Sequence, residues 1–440
     1  MLITSRVADH TAARGCRWIA GAPAAPIWRL RPVVLFLMLA CGHPAVRAAT
    51  LTWYASGSTG AAGGGGTWDT SAQQWTTGGA WSAWSNTNGD VAVLGGLTGG
   101  SVKLSTAIQA NGLTLNTNGY VITGTTLVLT GSSPTVTLAT GISGTIASPL
   151  AGASGLNKAG LGTLTLSGSN SYAGGTTLAG GTLVMGNAAA LGVTTNSLAI
   201  NAGTLNTGTF NLTVGALSGS TGTVITTATT AGTRTLSTAI DSGTAVYAGS
   251  LRDNGIGKFA IVKTGSGTLL LTGSNAATGG TVLNAGTLRV GNALALGGTA
   301  TALAVNGGTL DTGTFGVSVG ALSGSAGGVI TTATNAGTRT LTTTVAAGTS
   351  VFAGTIQNSG SGVMALTKAG VGMLVLSGSN AFTGLTTISA GTLQVGDGGT
   401  SGGLGSGAIA NSGLLVFNRN DGYGGPVANT ITGTGGLTVS

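Results

Sequence analysis

The sequence predicts an all-β fold, a solenoid of the β-helix type, and three observations carry that expectation. Glycine supplies 84 of the 440 residues, set mostly among Thr, Ser, Ala, Val and Leu. That mixture suits short strands and turns and disfavours helix. Short runs such as Leu164-Thr165-Leu166 recur between Gly- and Asn-containing turns, the punctuation of an all-β chain. A long repeat runs through the sequence as well. Lys158-Ala159-Gly160 returns as Lys263-Thr264-Gly265 and again as Lys368-Ala369-Gly370, 105 residues apart each time. A collagen-like chain is excluded by only 7 prolines and the lack of a three-residue glycine period. With 42% hydrophobic and 5% charged residues the composition is the reverse of a disordered one.

In chain order, residues 1–48 read as a secretory signal peptide. An arginine-rich stretch ends at Pro32, the apolar run Val33 to Ala40 follows, and Val46 and Ala48 are placed for cleavage after Ala48. The run is far short of the ~20 apolar residues of a membrane span, so no span is expected in the mature part. A buried N-terminal helix is the plain alternative, and Met38-Leu39-Ala40 fits a lipidation box at Cys41 poorly. The leader also explains the formal charge of +8: six arginines lie before Ala49, and beyond it ten Lys or Arg face seven Asp. No cation cluster remains to neutralise several phosphates at once, which excludes nucleic acid as a partner.

Residues 49–100 form a Trp-rich segment with the first strands. Trp53, Trp68, Trp75, Trp81 and Trp84 are all the tryptophans beyond the leader. Two readings are open for them. A solenoid end exposes an apolar cross-section that must be covered, and indoles cover area efficiently; exposed indoles also stack on sugar rings, which would make these residues glycan contacts.

Residues 101–440 are expected to be the β-helix, with long repeats at 158–262 and 263–367 and a partial one at 368–440. Markers beyond the lysines keep the offset: Gly208-Thr209-Phe210 with Gly313-Thr314-Phe315, Arg234 with Arg339, and Val246-Tyr247-Ala248-Gly249 with Val351-Phe352-Ala353-Gly354. A coil of roughly twenty residues, a fifth of the repeat, buries too few aliphatic side chains to offset its own ordering. It must share backbone hydrogen bonds and an apolar face with the coils above and below, the logic of a solenoid rather than a sandwich or propeller. At one coil per ~4.8 Å strand spacing, some eighteen to twenty coils would give a rod on the order of 90 Å long. Asn170, Asn275 and Asn380 occupy equivalent turn positions and are expected to satisfy local backbone groups.

Site chemistry is sparse. Both cysteines and both histidines lie in the leader, and the chain has no glutamate. Gly316-Val317-Ser318-Val319-Gly320 matches a nucleophile elbow but lacks a histidine partner, and the sister repeat carries Asn211-Leu212-Thr213-Val214-Gly215 there. Gly160-Leu161-Gly162 and Gly265-Ser266-Gly267 precede strands rather than helices, so they read as turns and not phosphate loops. Asp241, Asp253 and Asp311 are scattered, without a calcium-repeat frame. Arg252-Asp253 is the one adjacent Arg–Asp pair beyond the leader, the best footing for a polysaccharide-acting enzyme on a β-helix scaffold. A solvated ion pair explains it more simply. No catalytic residue, cofactor or metal is therefore expected. A threonine ice-binding row would need the same positions in every coil, which a 105-residue period does not supply.

Lys158 to Leu183, spelled Lys-Ala-Gly-Leu-Gly-Thr-Leu-Thr-Leu-Ser-Gly-Ser-Asn-Ser-Tyr-Ala-Gly-Gly-Thr-Thr-Leu and closed by Gly181-Thr182-Leu183, resembles the autotransporter-associated β-strand repeat, also called the passenger-associated transport repeat. Lys263 to Leu288 and Lys368 to Leu393 resemble it too; the third copy departs at Leu385, where the others have Gly175 and Gly280. The resemblance implies a right-handed parallel β-helix, the structural stem or passenger of an autotransporter, displayed on the bacterial surface, with adhesion to host or matrix glycans as its secondary role. It implies an outer-membrane translocator barrel as partner, outside this chain, which ends at Leu437-Thr438-Val439-Ser440 in what reads as the approach to another repeat.

Overall fold

The strands are two to eight residues long, most with alternating inward and outward side chains, as in Thr163-Leu164-Thr165-Leu166, where both leucines are buried and both threonines half-exposed. A pleated strand sends successive side chains to opposite faces, so alternation of Leu, Ile or Val with Thr places one row inside the stack and one in water. The computed structural model describes residues 48–57, 60–421 and 427–440. The leader assignment, 1–48, lies outside the described residues apart from Ala48. Among the described residues every regular element is a strand.

The strands stack in parallel into a β-solenoid of about 16 turns, with three faces visited in order where a turn is complete and one face skipped on some turns. The first face is one continuous 16-stranded sheet that runs from the N-terminal coils to Thr355–Ile356. The second is a nine-stranded sheet from Gly66–Trp68 to Ser250–Leu251, resumed as six strands from Val317–Val319 to Ile431–Thr432. The third is built in pieces of three, six and five strands, beginning at Ile108–Ala110 and ending at Gly436–Val439. Single bridges, Arg252 to Ala276 and Gly324 to Phe352, mark where a face thins and restarts.

Inside, like stacks on like. Leu164, Leu183, Leu205, Ile225 and Leu251 are successive partners up the second face, and none retains exposed surface. Each such side chain contributes about 1.5–3 kcal/mol by leaving water, and each does so only because a neighbour above and below covers it.

The long repeat and the turn are out of step. Leu156–Ala159 lies on the first face, its counterpart Gly257–Thr264 on the third, and Gly362–Ala369 on the second. From Leu156–Ala159, the first-face strands starting at Thr176, Leu198, Leu217 and Thr244 complete four turns. Ser250–Leu251 and Gly257–Thr264 then add two further faces. One 105-residue repeat is therefore four and two-thirds turns, about 22 residues per turn on average. The expectation of five coils per repeat, and of eighteen to twenty coils in all, was too high for this reason: real coils take up longer corners, and the repeat closes one face short of a whole turn.

Candidate functional site

The N-terminal end is built around indoles. Thr50–Trp53 pairs in parallel with Val91–Leu94 on one side and antiparallel with Trp75–Thr76 on the other; Trp75–Thr76 pairs antiparallel with Trp81–Ser82. The parallel ladder thus ends in an antiparallel hairpin. Trp53, Trp68, Trp75 and Trp84 are at most 2% exposed and form one cluster, with ring centroids 4.7–5.1 Å apart for the pairs 53–75, 68–75, 68–84 and 75–84. Trp53 Nε1 donates to the Gly64 carbonyl at 2.9 Å and Trp84 Nε1 to that of Gln109 at 3.0 Å. The Trp68 and Trp75 N–H groups are buried without a partner among the described residues, a cost of about 1–3 kcal/mol each set against the area of two indoles. Trp81 stands apart, half-exposed and edge-on to Tyr54 at 4.8 Å.

The repeat corners hold a feature that motif reading passed over. Lys158, Lys263 and Lys368 are buried completely. Lys158 Nζ donates to the carbonyls of Ala159, Gly160 and Gly162 in its own coil, at 2.7–3.1 Å, and to Gly180 of the next at 2.9 Å. Lys263 reaches Thr264, Gly265 and, at 3.3 Å, Ala285; Lys368 reaches Ala369, Gly370 and Ala390. Each ammonium thus ties its corner to the coil that follows. Burial pushes the Lys158 amine down to about 8. It lowers Lys263 and Lys368 too, with Asp241 partly countering it at Lys263. The corner needs glycine where the cage closes: Gly181 sits at φ 68°, and a Cβ there would lie 2.4 Å from the Gly162 oxygen. A sequence signal for the cage exists: Lys158 follows Leu156 by two residues, on the inward row.

The asparagines also bridge coils. Where the motif skips a strand, on the third face in the first copy, the second face in the second and the first face in the third, an asparagine stands in: Asn170 Oδ1 accepts from the Leu150 N–H of the coil before, and its Nδ2 donates to Ala190 of the coil after. Asn275 does the same between Leu251 and Ala295, and Asn380 between Ile356 and Gly403. The backbone groups bridged in this way are 20 to 24 residues away, near in space rather than in sequence; only Asn380 also makes the expected local bond, from Nδ2 to the Gly378 oxygen at 3.3 Å.

The remaining candidates do not converge. Ser318 lies within the plain strand Val317–Val319 opposite Thr342, not on a strand-to-helix elbow. Asp253 accepts from the Phe259 and Thr278 N–H groups and the Thr278 hydroxyl, while Arg252 Nε donates to Ser250 Oγ. The adjacent pair thus makes separate structural contacts. Among the described residues no three His, Cys, Asp or Glu side chains come together, and no helix is long and apolar enough to cross a membrane.

The coils that carry lysine cage and asparagine bridge, residues 156–185, 261–290 and 366–395, each match the sequence model of the passenger-associated-transport-repeat. These are passenger-associated transport repeats. The chain is also similar to the adhesin BmaC autotransporter of Brucella suis biovar 1 (strain 1330), 37% identical over 153 residues. That match covers 34% of this chain and 4% of the relative's length. No solved structure matches.

Proposed function

We propose that this chain is the β-solenoid stem of an autotransporter passenger, exported to the bacterial cell surface, whose physical work is extension and presentation, with adhesion as its biological use. The observation that carries the reading is that three passenger-associated transport repeats sit in one uninterrupted stack. Similarity to an autotransporter adhesin supports the adhesive part. The partner is an outer-membrane translocator barrel outside this chain, preceded in export by a signal peptide at 1–48. Residues 49–100 serve as cap, and 101–440 as the load-bearing solenoid with repeats 158–262, 263–367 and 368–440. Burial of four of the five indoles supports capping over glycan contact, and leaves Trp81 as the one indole of that segment with a face for sugar. A catalytic role is not part of the reading, because Asp253 is committed to three donors.

The test is surface display. Residues 1–440 joined to a passenger-less autotransporter barrel should become accessible to external antibody and protease on intact Gram-negative cells. Deleting 156–185 should lower the displayed amount. Retention of the full fusion inside the cell, with the barrel itself inserted, would refute the passenger reading.

A further inference from the structure

We infer that the first face of the second repeat carries a shallow binding groove for neutral polysaccharide, centred on Arg289 and Asp311; this rests on the adhesive reading above. Thr287–Val290 and Gly307–Asp311 are adjacent strands in which Arg289 lies directly beside Asp311 and Thr287 beside Thr309. Thr331 continues the Arg289–Asp311 row on the next strand. Arg289 Nε lies 3.3 Å from Asp311 Oδ2, with the arginine side chain 52% and the aspartate 21% exposed. These residues, with Ser359, line a groove of about 420 Å³ open to solvent. The Thr331 hydroxyl in its wall is buried without a hydrogen-bond partner among the described residues.

The chemistry selects the ligand class. The ion pair brings no net charge, so the groove suits neither an anion nor a cation. It offers a fork of donors, a carboxylate acceptor and several hydroxyls in one plane, which is what a vicinal diol needs, since each hydroxyl both donates and accepts. Successive rows are one strand spacing apart, ~4.8 Å, close to the length of one sugar unit lying along the stack. Charge enters here and nowhere else at these positions: the first repeat has Val184, Asn206 and Thr226 where the second has Arg289, Asp311 and Thr331, and the third has Gln394 and Val416 for the first two. The buried neighbours stay put over the same span, Leu183, Leu288 and Leu393, and Leu205, Leu310 and Leu415. The stack needs the leucines, and gains little from an exposed ion pair worth ~0–1 kcal/mol.

Titration of the full chain with cellohexaose, chitohexaose, maltohexaose and mannohexaose, followed by ligand-observed NMR, tests this. Binding of at least one hexaose is expected. Asp311→Asn and Arg289→Gln should each weaken it at least tenfold while thermal unfolding stays unchanged. No binding of any hexaose, or binding undiminished in both groove variants, overturns the groove. Attachment of cells displaying the barrel-fused chain to host matrix is measured in parallel. If attachment persists with the groove disproved, the adhesive reading stands; if attachment is lost in wild type, that reading falls by itself.

Discussion

Lys158 and Lys263 hold the same place in successive repeats, yet they leave from different faces of the solenoid, the first and the third. Lys368 leaves from the second. Because the repeat is four and two-thirds turns, each copy is rotated by one face. A stack that bore all its skipped strands on one side would be weak along that side. Rotation instead shares the interrupted coils, and their lysine and asparagine bridges, among all three faces.

Removing a cage should cost stability without altering the fold. Lys158→Met keeps the length and apolar stem but takes the ammonium donor away from the Gly160 and Gly180 oxygens, while the Gly162 oxygen keeps the Thr182 N–H. We expect a loss of about 1–3 kcal/mol, read from the denaturant midpoint. Lys263→Met should add nearly its full effect in the double variant, since the sites are several coils apart. An unchanged midpoint would mean that the cages carry no load.

The cages should give stability an alkaline dependence. The Lys158 amine ionises near 8 when folded and near 10.5 when unfolded, so between those values the unfolded chain binds more protons. Stability from this group therefore rises as pH increases through that window, and below pH 8 the cost of burying the charge is fully present. Thermal unfolding followed from pH 7.5 to 10 should show the rise, and Lys158→Met should flatten it relative to the parent. A parent profile that falls across the window would contradict the sign.

Asn275 should be sensitive to charge as well as to truncation. Asn275→Ala strands the Leu251 N–H and the Ala295 carbonyl, at about 1–3 kcal/mol. Asn275→Asp keeps the acceptor but sets a carboxylate oxygen against the Ala295 carbonyl at neutral pH. Protonation restores a donor, so this variant should regain midpoint, relative to the parent, as pH falls below the carboxyl range. Equal deficits at pH 3.5 and 7 would argue against a two-way bridge.

Truncating the cap should loosen one end only. Trp75 touches three indoles, and Trp75→Ala should cost about 3–5 kcal/mol locally. Hydrogen exchange should quicken in Thr50–Trp53 and Val91–Leu94 while Thr268–Leu271, many coils away, stays protected. Trp81→Ala should change exchange little. Uniform loss of protection along the chain would show that the indoles do not act as a cap.

The sequence by itself determined the architecture. Alternating Leu and Thr fix which side of each strand faces in, because a pleat has period two. Glycines such as Gly181 fix where the chain turns, because only a residue without Cβ fits there. The 105-residue echo requires stacking, because single coils cannot bury enough surface to stand alone. What only the tertiary structure decided is which residues meet across coils. Arg289 and Asp311 are 22 residues apart and become neighbours through register alone. Lys158 reads as a marker in a motif until the next coil delivers the Gly180 oxygen, and the face from which each repeat starts depends on summed corner lengths. Local pattern sets the direction of a side chain, whereas its partner is set by how much chain is spent before the next coil arrives.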